Sequence, residues 1–266
     1  MSRVVVDPDR VMSLMKTAAA EIVLPRFQSL QEGEVNEKDG GELVTIADIE
    51  TEKWLTARLP DLLPGSIVVG EEAVFADKSV FARLAGDDPV WIIDPIDGTW
   101  NFANGRPTFA VMVSLVSRGE VVGGWIYEPV TGTTVMGSRG DGVLFDGAPV
   151  RLSEGDHQGD ITGTAARHLF ARAEQRPDVI ADVYRPNCAG HEYVLILSGE
   201  RAFSAYTKLL PWDHVAGSFL VTEAGGHSAL LDGGQYDFAN PDGNLLTAES
   251  SEMWHNICAI IDHEGA

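Results

Sequence analysis

Four apolar residues, Val90-Trp91-Ile92-Ile93, run without a break into Asp94-Pro95-Ile96-Asp97-Gly98-Thr99. An apolar run of this length, bounded by turn residues, reads as a buried strand. It delivers its chain straight into an acid. Pro95 fixes its own φ and brings no backbone donor, Asp97 follows three residues after Asp94, and Gly98 lets the chain turn sharply. Two carboxylates on one tight turn repel each other. A multivalent cation resolves that repulsion, and carboxylates with carbonyls are the ligands magnesium prefers. A helix starting near Gly98-Thr99 would aim free amides at the same spot, where they can hold an anion such as phosphate. The same residue types also build an ordinary Asx-turn, so these residues alone leave both readings open.

Other acids share the placement. Glu71 stands directly after the apolar run Ser66–Gly70, Asp48 follows Val44-Thr45-Ile46-Ala47 near a helix start, and Asp213 lies in Pro211-Trp212-Asp213-His214 at another. Singly, Asp48 and Asp213 read as helix caps. Together the acids form an ordered set at element ends.

The overall charge sharpens the question. With 40 Asp and Glu against 19 Lys and Arg, the net charge is −21. Neither a nucleic acid polymer nor an anionic membrane is an expected partner, because both are bound chiefly through Lys and Arg. Such a chain binds a small anion only if local cations invert the field in its cleft. Hydrophobic residues at 44% suffice for a sizeable core. Cys188 and Cys258 make neither a disulfide framework nor a zinc site. No signal-like segment or membrane-length apolar run is visible, so a cytoplasmic protein is the expectation.

Asp7-Pro8 opens an amphipathic helix over 8–24 that ends near Pro25. Residues 31–42 read as a flexible loop, and a helix over 47–59 is stopped by Pro60. Strands are expected over 66–70, 90–93, 109–116, 121–127, 133–137 and 142–145, with a hairpin at Ser117–Glu120. Residues 154–160 read as a linker. Helix 190–198, strand 202–206, helix 213–224 closed by Gly225-Gly226, strands 227–231 and 245–248, and helix 251–262 complete the chain. The class is α+β, with an antiparallel first half (1–150) carrying most of the candidate ligands and a smaller α/β half (151–266) contributing Asp213.

Gly70-Glu71-Glu72, Asp94-Pro95-Ile96-Asp97-Gly98-Thr99 with Asn101-Phe102, Trp212-Asp213 with Ala216-Gly217, and Glu223-Ala224-Gly225-Gly226 resemble, in order and spacing, the inositol monophosphatase family of magnesium-dependent, lithium-sensitive sugar-phosphate phosphatases. The resemblance spans nearly the whole chain. It implies a layered α/β/α/β/α sandwich, usually a homodimer, that hydrolyses a small phosphate monoester. It also implies two to three magnesium ions held by Glu71, Asp94, the Ile96 carbonyl, Asp97 and Asp213. Asp48 and Thr99, with Glu71 beside them, are the implied catalytic residues that orient and activate water. Substrate and phosphate contacts fall by similarity on Asp97, Gly98, Thr99, Ala189 and Tyr206. The uncatalysed reaction is among the slowest known, so the site must supply roughly 20 kcal/mol.

The sequence departs from that pattern at Tyr206. Inositol-binding members carry a glutamate there, seven residues before the Trp-Asp acid. A tyrosine offers one hydroxyl and a ring face where a glutamate accepts two hydrogen bonds from a diol. Histidinol phosphate, a 3′(2′),5′-bisphosphate nucleotide and a sugar bisphosphate therefore stand beside inositol 1-phosphate as substrates, and a non-catalytic regulatory protein on the same fold stands as the reading from another class. Cys188 occupies a place where Ser or Thr is common. Arg167-His168 and Lys208 read either as contacts to a second phosphate or as solvated charge, and His191 as a satisfied core histidine.

Overall fold

The computed structural model describes residues 4–38, 41–152, 160–166, 169 and 179–261. Strand β1 (Val35–Glu37) pairs antiparallel with β2 (Leu43–Thr45) in a small hairpin. A seven-stranded sheet follows, in the order β3 (Ile67–Gly70), β4 (Val90–Asp97), β5 (Ala110–Ser117), β6 (Glu120–Tyr127), β7 (Thr134–Ser138), β8 (Gly142–Phe145) and β9 (Ala148–Val150). Only β3 and β4 run parallel in it. The remaining strands are β10 (Ile161–Ala165), β11 (Ile180–Tyr184), β12 (Phe203–Tyr206), β13 (His227–Leu230) and β14 (Leu245–Ala248), ordered β11-β10-β12-β14-β13 in a mixed five-stranded sheet.

Helices complete the expected α/β/α/β/α layering. The Pro8–Ala18 and Ile46–Thr56 helices pack on one face of the seven-stranded sheet around Val11, Met15, Leu55, Trp91 and Trp125. The Ala189–Leu197 and Pro211–Glu223 helices fill the layer between the sheets, with Tyr193, Ile196, Ala216 and Leu220 against Met112 and Ile126. The Ser251–Ile261 helix covers the far side of the second sheet through Trp254 and Ile257.

Several expectations need correction. The first helix does not end before Pro25. Asp7 caps it by accepting from the Asp9 amide at 3.0 Å, and it then continues through a π-turn (Ala19–Val23) to Arg26. The wider turn gives room for a proline ring that has no N–H to donate. The loop assigned to 31–42 contains β1. Pro60 opens a short helix, Leu59–Leu62, instead of merely stopping one. The helix holding Asp213 begins at Pro211, so Asp213 lies in its first turn and Leu210 is the cap. Glu71 begins its own short helix, Glu71–Ala76. Strand β9 and the β3–β4 parallel pair were not anticipated. The β5–β6 connection is the expected hairpin, and Arg118 and Gly119 take φ of 53° and 75° in its two-residue turn. Arg167-His168 and nearly all of the supposed 154–160 linker lie outside the described residues.

The two central helices meet at Gly217, where a Cβ would come within 1.9 Å of the Tyr193 ring. Gly217→Ala is expected to cost about 2 kcal/mol or more by overpacking. Urea denaturation checks this, and a midpoint equal to that of the unsubstituted protein would disprove the packing argument.

Candidate active site

Side chains three residues apart on a regular strand point to opposite faces. Asp94 and Asp97 escape this rule. Asp94 pairs with Met112 and Asp97 with Ala110, so β4 carries one residue more than β5 between them. This bulge returns Asp97 to the face that Asp94 occupies. Pro95, with no donor to contribute, sits where ladder pairing is interrupted. Gly98 follows at φ 88°, hemmed in by the Thr108 and Asn187 carbonyls and the Cys188 Cβ, each within 3.3 Å of where a Cβ would stand. The chain can then enter the Thr99–Ala103 helix at once.

The turn opens on a cavity of about 290 Å³ lined by Glu71, Asp94, Ile96, Asp97, Gly98, Thr99 and Asp213, with Glu42, Trp100 and Asn187 at its sides. Acids as far apart in the chain as Glu42 and Asp213 thus share one recess. Asp48 reaches it through Thr99, whose hydroxyl lies 3.1 Å from Asp48 Oδ1 and 3.0 Å from the Ile96 carbonyl. The other Asp48 oxygen accepts from the Thr45 amide at 2.8 Å and from the Thr45 hydroxyl. Asp48 is therefore the reciprocal partner in a capping box that starts the Ile46–Thr56 helix.

Three residues left out of the candidate set complete this end of the site. Lys38 is almost fully buried and donates to Glu71 at 2.8 Å and to Glu72 at 2.6 Å. Burial pulls its pKa down, but the two glutamates more than offset this and hold it above the ordinary lysine value. Glu52 accepts from the amides of Glu72 and Ala73 at 2.7 and 2.8 Å, which fixes the start of the helix carrying Glu71. A signal for Glu52 was available: it lies one helical turn after Asp48, on the same face.

Asp97 also faces the other way. Its Oδ2 accepts from the Gly190 amide at 2.5 Å and from Cys188 Sγ at 3.1 Å. Cys188 thus donates where a serine or threonine would, and burial first, then Asp97, keeps its thiol protonated. Asn101 ties the same two segments together by donating to the Thr108 and Pro186 carbonyls at 2.8 Å. Beyond Asp97 lies a second cavity of about 490 Å³, bounded by Ala189, Glu192, Tyr206, Lys208, Asp213 and His214. Ala189 and Tyr206 therefore line this recess and not the acidic one. His191, expected in an apolar setting, is half-buried and pairs with Glu128 at 2.6 Å. Lys208 is exposed and paired with Glu42. A further cavity of about 430 Å³, beside Val4–Pro8 and Trp125, is mainly apolar and remote from these acids.

Burial drives the electrostatics. Asp48, Glu52 and Glu71 are each raised to about 7, chiefly by desolvation. Desolvation and the neighbouring acids lift Asp94 and Asp213 well above the carboxylate range. Asp94 Oδ1 is buried without a hydrogen-bond partner. An all-oxygen donor set, an orphaned carboxylate oxygen and mutual repulsion all fit a hard divalent cation. Among the described residues no three such side chains are drawn around a single point. Each raised acid binds its proton more tightly when folded than when unfolded. The stability this gives is complete below the ordinary carboxylate pKa and is lost as pH rises through about 7. In chelator the urea midpoint is expected to be lower at pH 8 than at pH 6, and magnesium to narrow the gap. Midpoints that ignore both pH and magnesium would contradict this account.

Comparison with known proteins follows the same lines. The sequence profile described as the inositol monophosphatase family matches residues 8–264. The chain is 29% identical over 222 residues to Nus factor SuhB of Pseudomonas aeruginosa, covering 79% of this chain and 80% of that one. It is 30% identical over 214 residues to inositol monophosphatase 1 of Bos taurus, covering 74% of each. Among solved structures, a Thermotoga maritima IMPase superposes with a TM-score of 0.80 at 24% identity over 97% of this chain and 98% of its own. The extragenic suppressor protein SuhB of Bartonella henselae gives 0.81 at 24%, covering 96% and 100%. The chain belongs to the inositol monophosphatase family and is an enzyme of the phosphatase class.

Proposed function

We propose that this protein hydrolyses a small phosphate monoester with magnesium as its cofactor. The observation that carries the reading is the β4 bulge, which turns Asp94 and Asp97 into one recess with Asp213 and leaves Asp94 Oδ1 buried and unpartnered. Glu71, Asp94, the Ile96 carbonyl, Asp97 and Asp213 would hold two to three ions. When bound, the metal supplies charge neutralisation for the phosphoryl oxygens and a lowered pKa for water.

The chain's own groups do the rest. Thr99 Oγ1 has one proton, and with Asp48 ionised it donates that proton to Asp48 Oδ1. Its lone pairs are then free to accept from an attacking water, so Asp48 receives a proton through Thr99. A base whose pKa lies near 7 is well matched to that task at neutral pH. Thr45 keeps the opposite carboxylate oxygen occupied and so fixes which oxygen faces Thr99. Gly98 and Thr99 line the recess, and by the family resemblance their amides would hold the phosphate. The alcohol half of the substrate extends past Asp97 into the cavity of Ala189 and Tyr206. By the same resemblance we assign a cytoplasmic homodimer of two halves meeting near residue 150.

The names of relatives support the reaction class: one is an inositol-1-monophosphatase of Rhizobium meliloti, and one solved neighbour is a dual specific IMPase/NADP phosphatase bound with D-inositol-1-phosphate. A second reading, a regulatory protein on this fold, draws support from the relative named a Nus factor. The complete set of acids, with Thr99 and Asp48, favours catalysis. Asp94→Asn is expected to lower magnesium-dependent phosphate release from an aryl phosphate about a thousand-fold or more while the protein stays folded. Near-normal turnover in that variant, or hydrolysis indifferent to chelator, would reject the mechanism.

A further inference from the structure

The second cavity is lined by a buried carboxylate that no cation among the described residues contacts, although Arg185 acts on it from a distance. Glu192 is buried, yet it forms no ion pair among the described residues. Thr164 donates to its Oε2 at 2.8 Å, and the Tyr206 hydroxyl is turned to the same carboxylate. Arg185 stands on the exposed rim, and Lys208 is committed to Glu42. A buried carboxylate without a cation beside it is costly to ionise, and burial raises Glu192 to about 7, so a cation entering the cavity would gain a partner there.

The wall next to it suits a cation. Tyr206 is 9% exposed, lines the same cavity, and turns its hydroxyl toward Glu192 and Ser204. Its ring packs on His214 at 4.4 Å between centroids, and the Tyr193 ring lies 5.6 Å away. His214 adds no positive charge to this wall, because burial lowers its pKa to about 4. Its two nitrogens are already taken, Nε2 by the Lys208 carbonyl at 2.8 Å and Nδ1 by the Tyr193 hydroxyl at 3.1 Å. A carboxylate beside aromatic faces and a phenol oxygen is an arrangement that can bind an ammonium group. A neutral polyol would bring no cation to Glu192.

We propose that Glu192, with the ring and hydroxyl of Tyr206, selects the leaving group, and that the preferred substrate is a phosphate monoester whose alcohol carries a protonated amine. The inference rests on the phosphatase reading and adds to it the substrate class and a specificity-determining residue on the Ala189–Leu197 helix. The cavity shares Asp97 and Asp213 with the acidic recess, so an ester with its phosphate at Thr99 places its alcohol beside Glu192.

The test compares histidinol phosphate and phosphoethanolamine with inositol 1-phosphate and an aryl phosphate, in the unsubstituted protein and in Glu192→Gln. Glutamine keeps the shape and the Thr164 bond but removes the charge. The unsubstituted protein is expected to favour at least one amine-bearing ester over inositol 1-phosphate. In Glu192→Gln the kcat/KM for that ester is expected to fall about 30-fold relative to that for the aryl phosphate in the same variant, as for loss of a charged partner in a buried contact. Tyr206→Phe should lower the same ratio by a smaller factor. Calorimetry with the free amino alcohol gives a readout apart from turnover: binding to the unsubstituted protein and loss of it in Glu192→Gln. A preference for inositol 1-phosphate, or equal losses on all esters in Glu192→Gln, overturns the proposal. Failure to hydrolyse any ester with magnesium defeats the phosphatase reading instead, and the calorimetric comparison then decides whether the cavity takes an amine.

Discussion

Uncompensated negative charge, held in place by backbone geometry, is the constraint around which this molecule is organised. A regular β4 would send Asp94 into the layer between the sheets and Asp97 toward the opposite face. One additional residue in the strand places both on the same side, where the Pro211–Glu223 helix brings Asp213 to meet them. Repulsion among these groups is tolerated because the packing around them is dense. Trp91, Ile92, Ile93 and Ile96 are all essentially inaccessible, so the turn cannot relax without disrupting apolar contacts that are worth far more in sum.

The molecule limits the resulting cost by several local devices. Lys38 stands between Glu71 and Glu72 as an internal cation. Glu52 takes the first amides of the helix that carries Glu71, so its charge is spent on backbone donors. Asp97 takes the Gly190 amide and the Cys188 thiol. Asp94 and Asp213 have no comparable ion pair among the described residues, and burial with the neighbouring acids raises the pKa of both.

Much of this was legible before any coordinates. An apolar run ending in an acid marks the mouth of a sheet, and Glu71 and Asp94 announced themselves that way. The central helices, the β5–β6 hairpin and the Gly225-Gly226 stop followed from periodicity and turn chemistry. The bulge did not, because nothing in Asp94-Pro95-Ile96-Asp97 distinguishes a bulged strand end from a simple turn. Lys38 stayed out of the candidate set because its charged, Gly-rich segment reads as a loop that is hard to align, and composition conceals the pairing of β1 with β2. Glu192 left a visible trace, one acid directly before Tyr193-Val194-Leu195-Ile196-Leu197, in a helix otherwise apolar from there to its end. An acid in that setting is either paired or reserved for something that visits.

Asp97 has one carboxylate and two clients. One oxygen anchors the first turn of the Ala189–Leu197 helix while the group as a whole lines the acidic recess. An ion held in that recess would draw electron density away from the Gly190 amide, in the first turn of the helix that carries Glu192. Any factor by which filling one chamber changed the affinity of the other would then have to be returned in full.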